Sequence, residues 1–308
     1  MNEKRKLSNA ASEFLAQNLP ANFERFDAEN LPRVRRESHE GFAPACKKIL
    51  DETGASVEEL SLNDVAVQRV VPSGGGRDDA AVLYHFGGGF VMGSAYEDSV
   101  ITAQIATALN VSVYAAKYRL SPEHPFPAAQ DDAFAVYRAM VDSFDNRRLA
   151  VMGESAGGNL SLSVLNRARG AALPMPSALA VLSPWVAIGD LDGSVSENDG
   201  RDPTLGRQYI EDASRFYVAD QDYKNPQVSP LFADYDHAFP PTIVTTGTRD
   251  LLLSGSVMIA EKLQSAGVDT TLKVWDDLWH VFEFYPDIPE ARESIGDIVA
   301  HLKTHMRL

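Results

Sequence analysis

From residue 64 onward, short apolar runs alternate with helix-forming stretches, and this alternation limits the fold more than any other feature of the chain. The runs at 65–71, 80–86, 111–117, 149–152, 178–183, 242–246 and 271–275 read as strands. Those at 98–110, 128–143, 156–168, 252–266 and 289–303 carry apolar residues at helical spacing. Strands alternating with helices call for right-handed crossovers and a mostly parallel sheet covered on both faces, an α/β architecture. Two stretches break the pattern. Residues 1–52 place Leu7, Phe14, Leu15 and Leu19, then Phe42, Ile49 and Leu50, at helical spacing around Pro20 and Pro32, so helices without a strand are expected there. Residues 189–236 are rich in Asp, Gly, Ser and Asn and then turn helix-like at 204–217, again without a strand. An insertion of that length points to a lid able to pack on the N-terminal helices. The tract Ser73-Gly74-Gly75-Gly76 reads as a hairpin or loop between two strands.

Composition narrows the function. The 308 residues carry a formal net charge of −15, which would repel nucleic-acid phosphates and anionic lipid, so neither nucleic acid nor membrane is an expected partner. Cys46 is the single cysteine, which rules out an internal disulfide and a cysteine-rich zinc site. The charged start MNEKRKLSNA does not read as a signal peptide and no apolar run is long enough to span a bilayer, so a cytoplasmic location is the expectation.

The sharpest motif is Gly153-Glu154-Ser155-Ala156-Gly157, set between the apolar run at 149–152 and a helix. So tight a strand-to-helix reversal needs small residues on either side of Ser155, and it lifts the hydroxyl clear of the sheet. The helix start also directs unpaired amides and its positive dipole end toward the site. A serine needs a base. Of seven histidines, His39, His237, His301 and His305 read as surface residues and His124 sits between prolines in a loop. His280 follows the last strand and the loop Asp276-Asp277-Leu278-Trp279, from which a side chain reaches back over the strand ends. Asp250, after the strand at 242–246 and the turn Gly247-Thr248-Arg249, stands at a carboxyl end where α/β sheets form sites. Asp276, Asp277 and Glu283 lie too near His280 in sequence to reach the far side of its ring. The order Ser155, Asp250, His280 is that of α/β-hydrolases among serine hydrolases. Phe86-Gly87-Gly88-Gly89-Phe90 offers backbone donors for a developing oxyanion and lacks the spacing of a phosphate loop.

Together with Tyr84-His85, Tyr118 to Ala129 (YRLSPEHPFPAA), Gly158-Asn159, Gly247-Thr248-Arg249-Asp250 and His280-Val281-Phe282, these motifs closely resemble the bacterial hormone-sensitive-lipase family of α/β-hydrolase esterases, in the family's order from about residue 80 to 282. The resemblance implies a triad of Ser155, Asp250 and His280 and an oxyanion hole of the Gly88, Gly89 and Ala156 amides. It also implies a cap built from 1–52 and 189–236 over a core of 53–188 and 237–308, and pairing of the last strand across a homodimer. The family usually has histidine before the three glycines. Phe86 stands there, with His85 one place earlier and facing the other side of the strand, so Phe86 is expected to hold the loop by apolar contact. Glu154 replaces the more usual Asp or Thr, and reads either as a polar contact behind the serine or as solvent-facing.

The expected reaction is hydrolysis of short-to-medium acyl esters through an acyl-enzyme, with no metal or organic cofactor. An amidase, a lactonase or a sugar acetyl esterase would use the same residues, and a non-enzymatic small-ligand receptor on the fold would be expected to lack a triad member. Phe90, Trp185, Phe216 and Phe282, with Phe14, Phe23 and Tyr217, are the expected walls of an apolar substrate pocket.

Overall fold

The computed structural model describes residues 6–19 and 24–308, which leaves the expectation for Phe23 outside the described residues. Helices α1 (Asn9–Asn18) and α2 (Leu31–Thr53) come first, followed by strands β1 (Ser56–Leu62), β2 (Val65–Val71) and β3 (Arg77–His85). Alternation then sets in with α3 (Ser99–Leu109), β4 (Val111–Ala116), α4 (Ala128–Ser143), β5 (Leu149–Glu154), α5 (Ser155–Gly170) and β6 (Ala178–Leu182). The insertion holds α6 (Ser194–Glu197) and α7 (Arg207–Val218), and the chain closes with β7 (Thr242–Gly247), α8 (Leu253–Ser265), β8 (Thr270–Trp275) and α9 (Pro289–Met306).

The strands form one eight-stranded sheet in the order β1-β2-β4-β3-β5-β6-β7-β8. The β1·β2 and β2·β4 pairs are antiparallel and all others parallel. Every residue of β5, β6 and β7 is buried, as strands covered on both faces require. Helices α5 and α9 pack against the middle of the sheet and α8 against β7 and β8.

Strand β1 was not expected. Its apolar alternation is broken by Glu58-Glu59, and as an edge strand it has no buried residue. Its hairpin with β2 is made by Asn63 and Asp64, both at positive φ (47° and 66°), the backbone of a two-residue hairpin turn. The glycine tract 73–76 is a loop and not a hairpin, because β2 pairs with β4 while β3 lies beyond it.

The strandless segments gather over the carboxyl ends of the parallel strands. Phe14 of α1 stacks on Trp279 with ring centroids 4.5 Å apart, and the backbone N–H and Oγ of Ser8 donate to Glu290 at 2.7 and 2.8 Å. From α2, Arg35 donates to the carbonyls of Val91 and Ser121 at 2.7 and 2.6 Å, binding that helix to the segment beyond the glycine loop.

Candidate active site

Strand β5 runs straight into α5 at Ser155, whose φ of 51° is the sharp reversal the motif demanded. Glycine is obligatory on its far side, since a Cβ at Gly157 would come within 2.0 Å of the His85 carbonyl oxygen. The turn aims the serine at the loop after β8. His280 Nε2 lies 3.0 Å from Ser155 Oγ, and His280 Nδ1 lies 3.0 Å from Asp250 Oδ1. Asp250 is fully buried, and its carboxylate accepts the Leu252 N–H at Oδ1 (2.8 Å) and the Thr246 hydroxyl at Oδ2 (2.9 Å), which fix it so that the second lone pair of Oδ1 orients the ring.

Burial works against a positively charged His280. The charge and hydrogen bond of Asp250, backed by Asp202 and Glu283, outweigh it and hold the imidazole above the ordinary histidine value. This is the electrostatics of a base that must carry a proton in the middle of a reaction. His39, His124 and His237 are exposed, while His301 is half-buried with Nε2 3.2 Å from the Pro241 carbonyl and its pKa lowered by burial to about 4, so it is not the surface residue expected.

Gly88 and Gly89 line the same cavity as Ser155 and His280. Ala156 sits in the first turn of α5, where amides lack intrahelical acceptors. Phe86 lies flat on Tyr118, centroids 4.1 Å apart and planes 10° apart, and the Tyr118 hydroxyl donates to the Phe86 carbonyl at 2.7 Å, so stacking secures the strand end that feeds the glycine loop. His85 faces the other way, its Nδ1 2.9 Å from Ser161 Oγ, which itself donates to the Gly157 carbonyl at 2.8 Å. Burial lowers the His85 pKa to about 3, so it is neutral there.

Glu154 faces inward. Its side chain is 4 % exposed, lines the cavity and fills the space where a Cβ on Gly87 would sit. Burial and the nearby Asp98 push its carboxyl well above the usual range.

The cavity has a volume of about 300 Å³. Its walls differ from the expected ones: they come from Phe42 of α2, Met92, Leu205 and Tyr209 of the insertion, and Phe284 and Tyr285 after the base. Among the expected wall residues, Phe90 is fully buried and stacked on Tyr217 at 3.8 Å, fastening α7 to the glycine loop. Trp185 packs under the elbow, its backbone N–H donating to the Ser155 carbonyl at 2.9 Å. Phe216 faces Phe26 at 6.0 Å, and Phe282 is fully buried against Trp275 at 5.6 Å. These rings are core and fasteners, because a large apolar side chain is spent first on closing the interior. Asp202 of the insertion carried no sequence signal; it is fully buried and touches the backbone of His280.

The α/β-hydrolase-fold family matches residues 82–284 of this chain. An acetyl-hydrolase of Streptomyces hygroscopicus is 30% identical over 230 residues, covering 74% of this chain and 77% of its own. An esterase of Acinetobacter venetianus is 31% identical over 221 residues, with 70% and 73% covered. The crystal structure of an esterase from the bacterial hormone-sensitive lipase family superposes with a TM-score of 0.89 at 31% identity, covering 98% of this chain and all of the other. With the elbow, the glycine loop and the Ser155, Asp250 and His280 arrangement in one site, the chain belongs to the bacterial hormone-sensitive-lipase family of α/β-hydrolases.

Proposed function

We propose that the protein is a serine carboxylic ester hydrolase for short-to-medium acyl esters. The observation that carries this is the continuous hydrogen-bonded chain from Ser155 Oγ through His280 to Asp250, opening into a mostly apolar cavity beside the glycine loop. Ser155 attacks the ester carbonyl while His280 takes its proton, and the oxyanion that forms is met by the amides of Gly88, Gly89 and Ala156. The imidazolium then protonates the leaving alcohol, and the neutral ring activates water to release the acid from Ser155. The complete triad favours this over a receptor on the same fold. Relatives that include the acetyl-hydrolase and an ethyl acetate hydrolase of Pseudomonas putida, 30% identical over 244 residues, support ester substrates with small acyl groups. With no lysine or arginine among the described lining residues to pair with a negative charge, and Glu97 in the wall, the cavity disfavours anionic substrates. No described helix is long and apolar enough to cross a membrane. A cytoplasmic location and a homodimer paired through edge strand β8 complete the proposal, and sedimentation of the purified chain reads the second.

A nitrophenyl alkylphosphonate tests the mechanism directly. Attack forms a Ser155 Oγ–P bond, breaks the P–O bond to the nitrophenyl group and releases nitrophenolate. One adduct per chain, mapped to Ser155 by mass spectrometry and abolishing hydrolysis in step with labelling, is the expected result; full activity after complete labelling would refute it.

A second cavity of about 310 Å³ lies between α1 and α2 and shares Phe284 and Tyr285 with the first as a common wall. Tyr285→Ala is expected to open one into the other and move the acyl-chain optimum of nitrophenyl esters toward longer chains, raising kcat/KM for a decanoate relative to a butyrate by about tenfold, the worth of about two further buried methylenes at ~0.8 kcal/mol each. An unchanged chain-length profile would show that the wall does not set the limit.

A further inference from the structure

The first part of the insertion, residues 194–205, crosses the two loops that carry Asp250 and His280 and bonds to their backbones. Ser194 Oγ donates to the Leu251 carbonyl at 2.7 Å and accepts the Ser254 N–H at 2.8 Å. Asn198 Nδ2 donates to the carbonyls of Asp250 and Thr248 at 2.9 and 3.1 Å. Further along, Asp202 Oδ2 accepts the His280 N–H at 2.9 Å, and Thr204 Oγ1 lies 3.0 Å from the His280 carbonyl oxygen. The N–H of the base therefore ends on Asp202, and its carbonyl shares the one Thr204 hydroxyl proton with Asp202 Oδ1.

Asp202 is an unusual place for a carboxylate. It is 0 % exposed, and its Oδ1 faces the Thr204 N–H and hydroxyl and the Leu205 N–H at 2.8, 2.9 and 3.0 Å. Burying a carboxylate costs free energy that only such donors recover, so the group is held in one orientation. The loop it grips is not self-supporting: Val281, β-branched and directly after the base, sits at φ 45°, where such side chains are rarely found. Ser183 Oγ accepts the Val281 N–H at 3.2 Å from the other side.

We propose that Asp202 is a positioning residue for ester hydrolysis: through the backbone of His280 it holds the imidazole on Ser155 and, with Ser194, Asn198 and Thr204, makes the insertion a strap joining the acid's loop to the base's. The proposal rests on the triad assigned above. The strap makes the insertion part of the catalytic geometry as well as a wall of the cavity, to which Thr204 and Leu205 both contribute.

The charge of Asp202 matters too. His280 is faced by Asp250 from the loop after β7, by Asp202 from the insertion and by Glu283 from the loop after β8, all three favouring its protonated form. Asp202 in turn faces Asp250, His280 and Tyr285, and burial with Asp250 raises its pKa to about 6. Removing its negative charge therefore lowers the pKa of His280 and moves the acid limb of kcat/KM to lower pH.

The test compares Asp202→Asn and Thr204→Val with the natural chain on a nitrophenyl acetate, measuring kcat and KM separately, the pH profile, and thermal unfolding by circular dichroism. In Asp202→Asn the amide must turn its NH2 toward N–H donors on one side, loosening the grip on His280. Its kcat is expected to fall about 10- to 100-fold, the scale of a small misplacement of a reacting group, with KM within about twofold and the acid limb displaced downward. Thr204→Val is expected to lower kcat by less and to leave the limb in place, because no charge is lost. A kcat within twofold of the natural value with an unmoved limb overturns the proposal, as does a loss that only follows a fall in the folded fraction. If Asp202→Asn does not fold, Thr204→Val decides, and an unchanged kcat there overturns it. Ser155→Ala in the same assay keeps the two readings apart: full activity in that variant would remove the triad itself, whereas inactivity beside a normal Asp202→Asn would remove the strap alone.

Discussion

Ser155→Ala is expected to lower kcat by about 10⁵- to 10⁶-fold while leaving the fold intact, and His280→Ala to do nearly as much. Among the described residues that line the cavity, the Ser155 hydroxyl is the one held against an imidazole, His280 Nε2 at 3.0 Å, which can take its proton as the acyl intermediate forms. Loss of Oγ removes little packing. Alanine occupies the φ of 51° at that position no worse than serine, and the freed Nε2 faces the cavity. The melting temperature of Ser155→Ala should therefore stay near the natural value, whereas His280→Ala leaves the buried Asp250 carboxylate without its ring partner and is expected to melt lower. The double variant should be no worse than either single one, because nucleophile and base act as one unit and removing either already disables it. Residual hydrolysis above background measures what the glycine loop and the cavity achieve by binding alone. Rates on a nitrophenyl butyrate with excess enzyme over a contaminant control read this, and Ser155→Ala retaining more than about 1% of kcat would contradict the assigned nucleophile.

The parts of this site that were legible in the sequence are those where backbone geometry dictates residue type. The reversal at Ser155 tolerates no side chain at Gly157, so the motif survives as a local pattern. Asp250 and His280 each follow a strand of the parallel core, and the order of elements places strand ends together. Asp202 left no such trace. Its function is to accept backbone N–H groups, one of them 78 residues away, and any buried or exposed aspartate looks the same in one dimension. The pocket walls failed for a related reason. Apolar aromatics report burial, and Phe90, Phe216 and Phe282 are spent on fastening elements to one another, while Tyr209 reaches the cavity from the first turn of α7 and Phe284 and Tyr285 from a turn that periodicity does not describe. Glu154 could be read two ways until the glycine loop was placed beside it, since the side of β5 it faces is set by a neighbouring strand. The edge strand β1 escaped because a strand with no buried face needs no apolar alternation, although Asn63-Asp64 was a usable turn signal.

Replacing Asp250 separates charge from orientation. Asp250→Ala is expected to cost about 10⁴-fold in kcat, since nothing then fixes the His280 tautomer or stabilises its protonated form. Asp250→Asn is more informative because of what surrounds the carboxylate. Oδ1 receives the Leu252 N–H at 2.8 Å as well as His280 Nδ1 at 3.0 Å, whereas Oδ2 meets only the Thr246 hydroxyl at 2.9 Å. An asparagine therefore settles with its oxygen toward Leu252 and His280 and its NH2 toward Thr246 Oγ1, an oxygen that accepts as readily as it donates. The ring keeps its productive tautomer, with Nδ1–H donating and Nε2 free to take the serine proton. Only the charge is lost. Asp250 raises the His280 pKa through both its charge and its hydrogen bond, so Asp250→Asn lowers it, and the acid limb of kcat/KM moves to lower pH. The plateau falls as well, because the imidazolium formed in the transition state no longer faces a buried anion, by about 10²- to 10³-fold, less than in Asp250→Ala. Equal losses in the two variants would mean that the asparagine turns its NH2 to His280 and imposes the wrong tautomer, and a limb that does not move would show that Asp202 and Glu283 set the base's pKa without it.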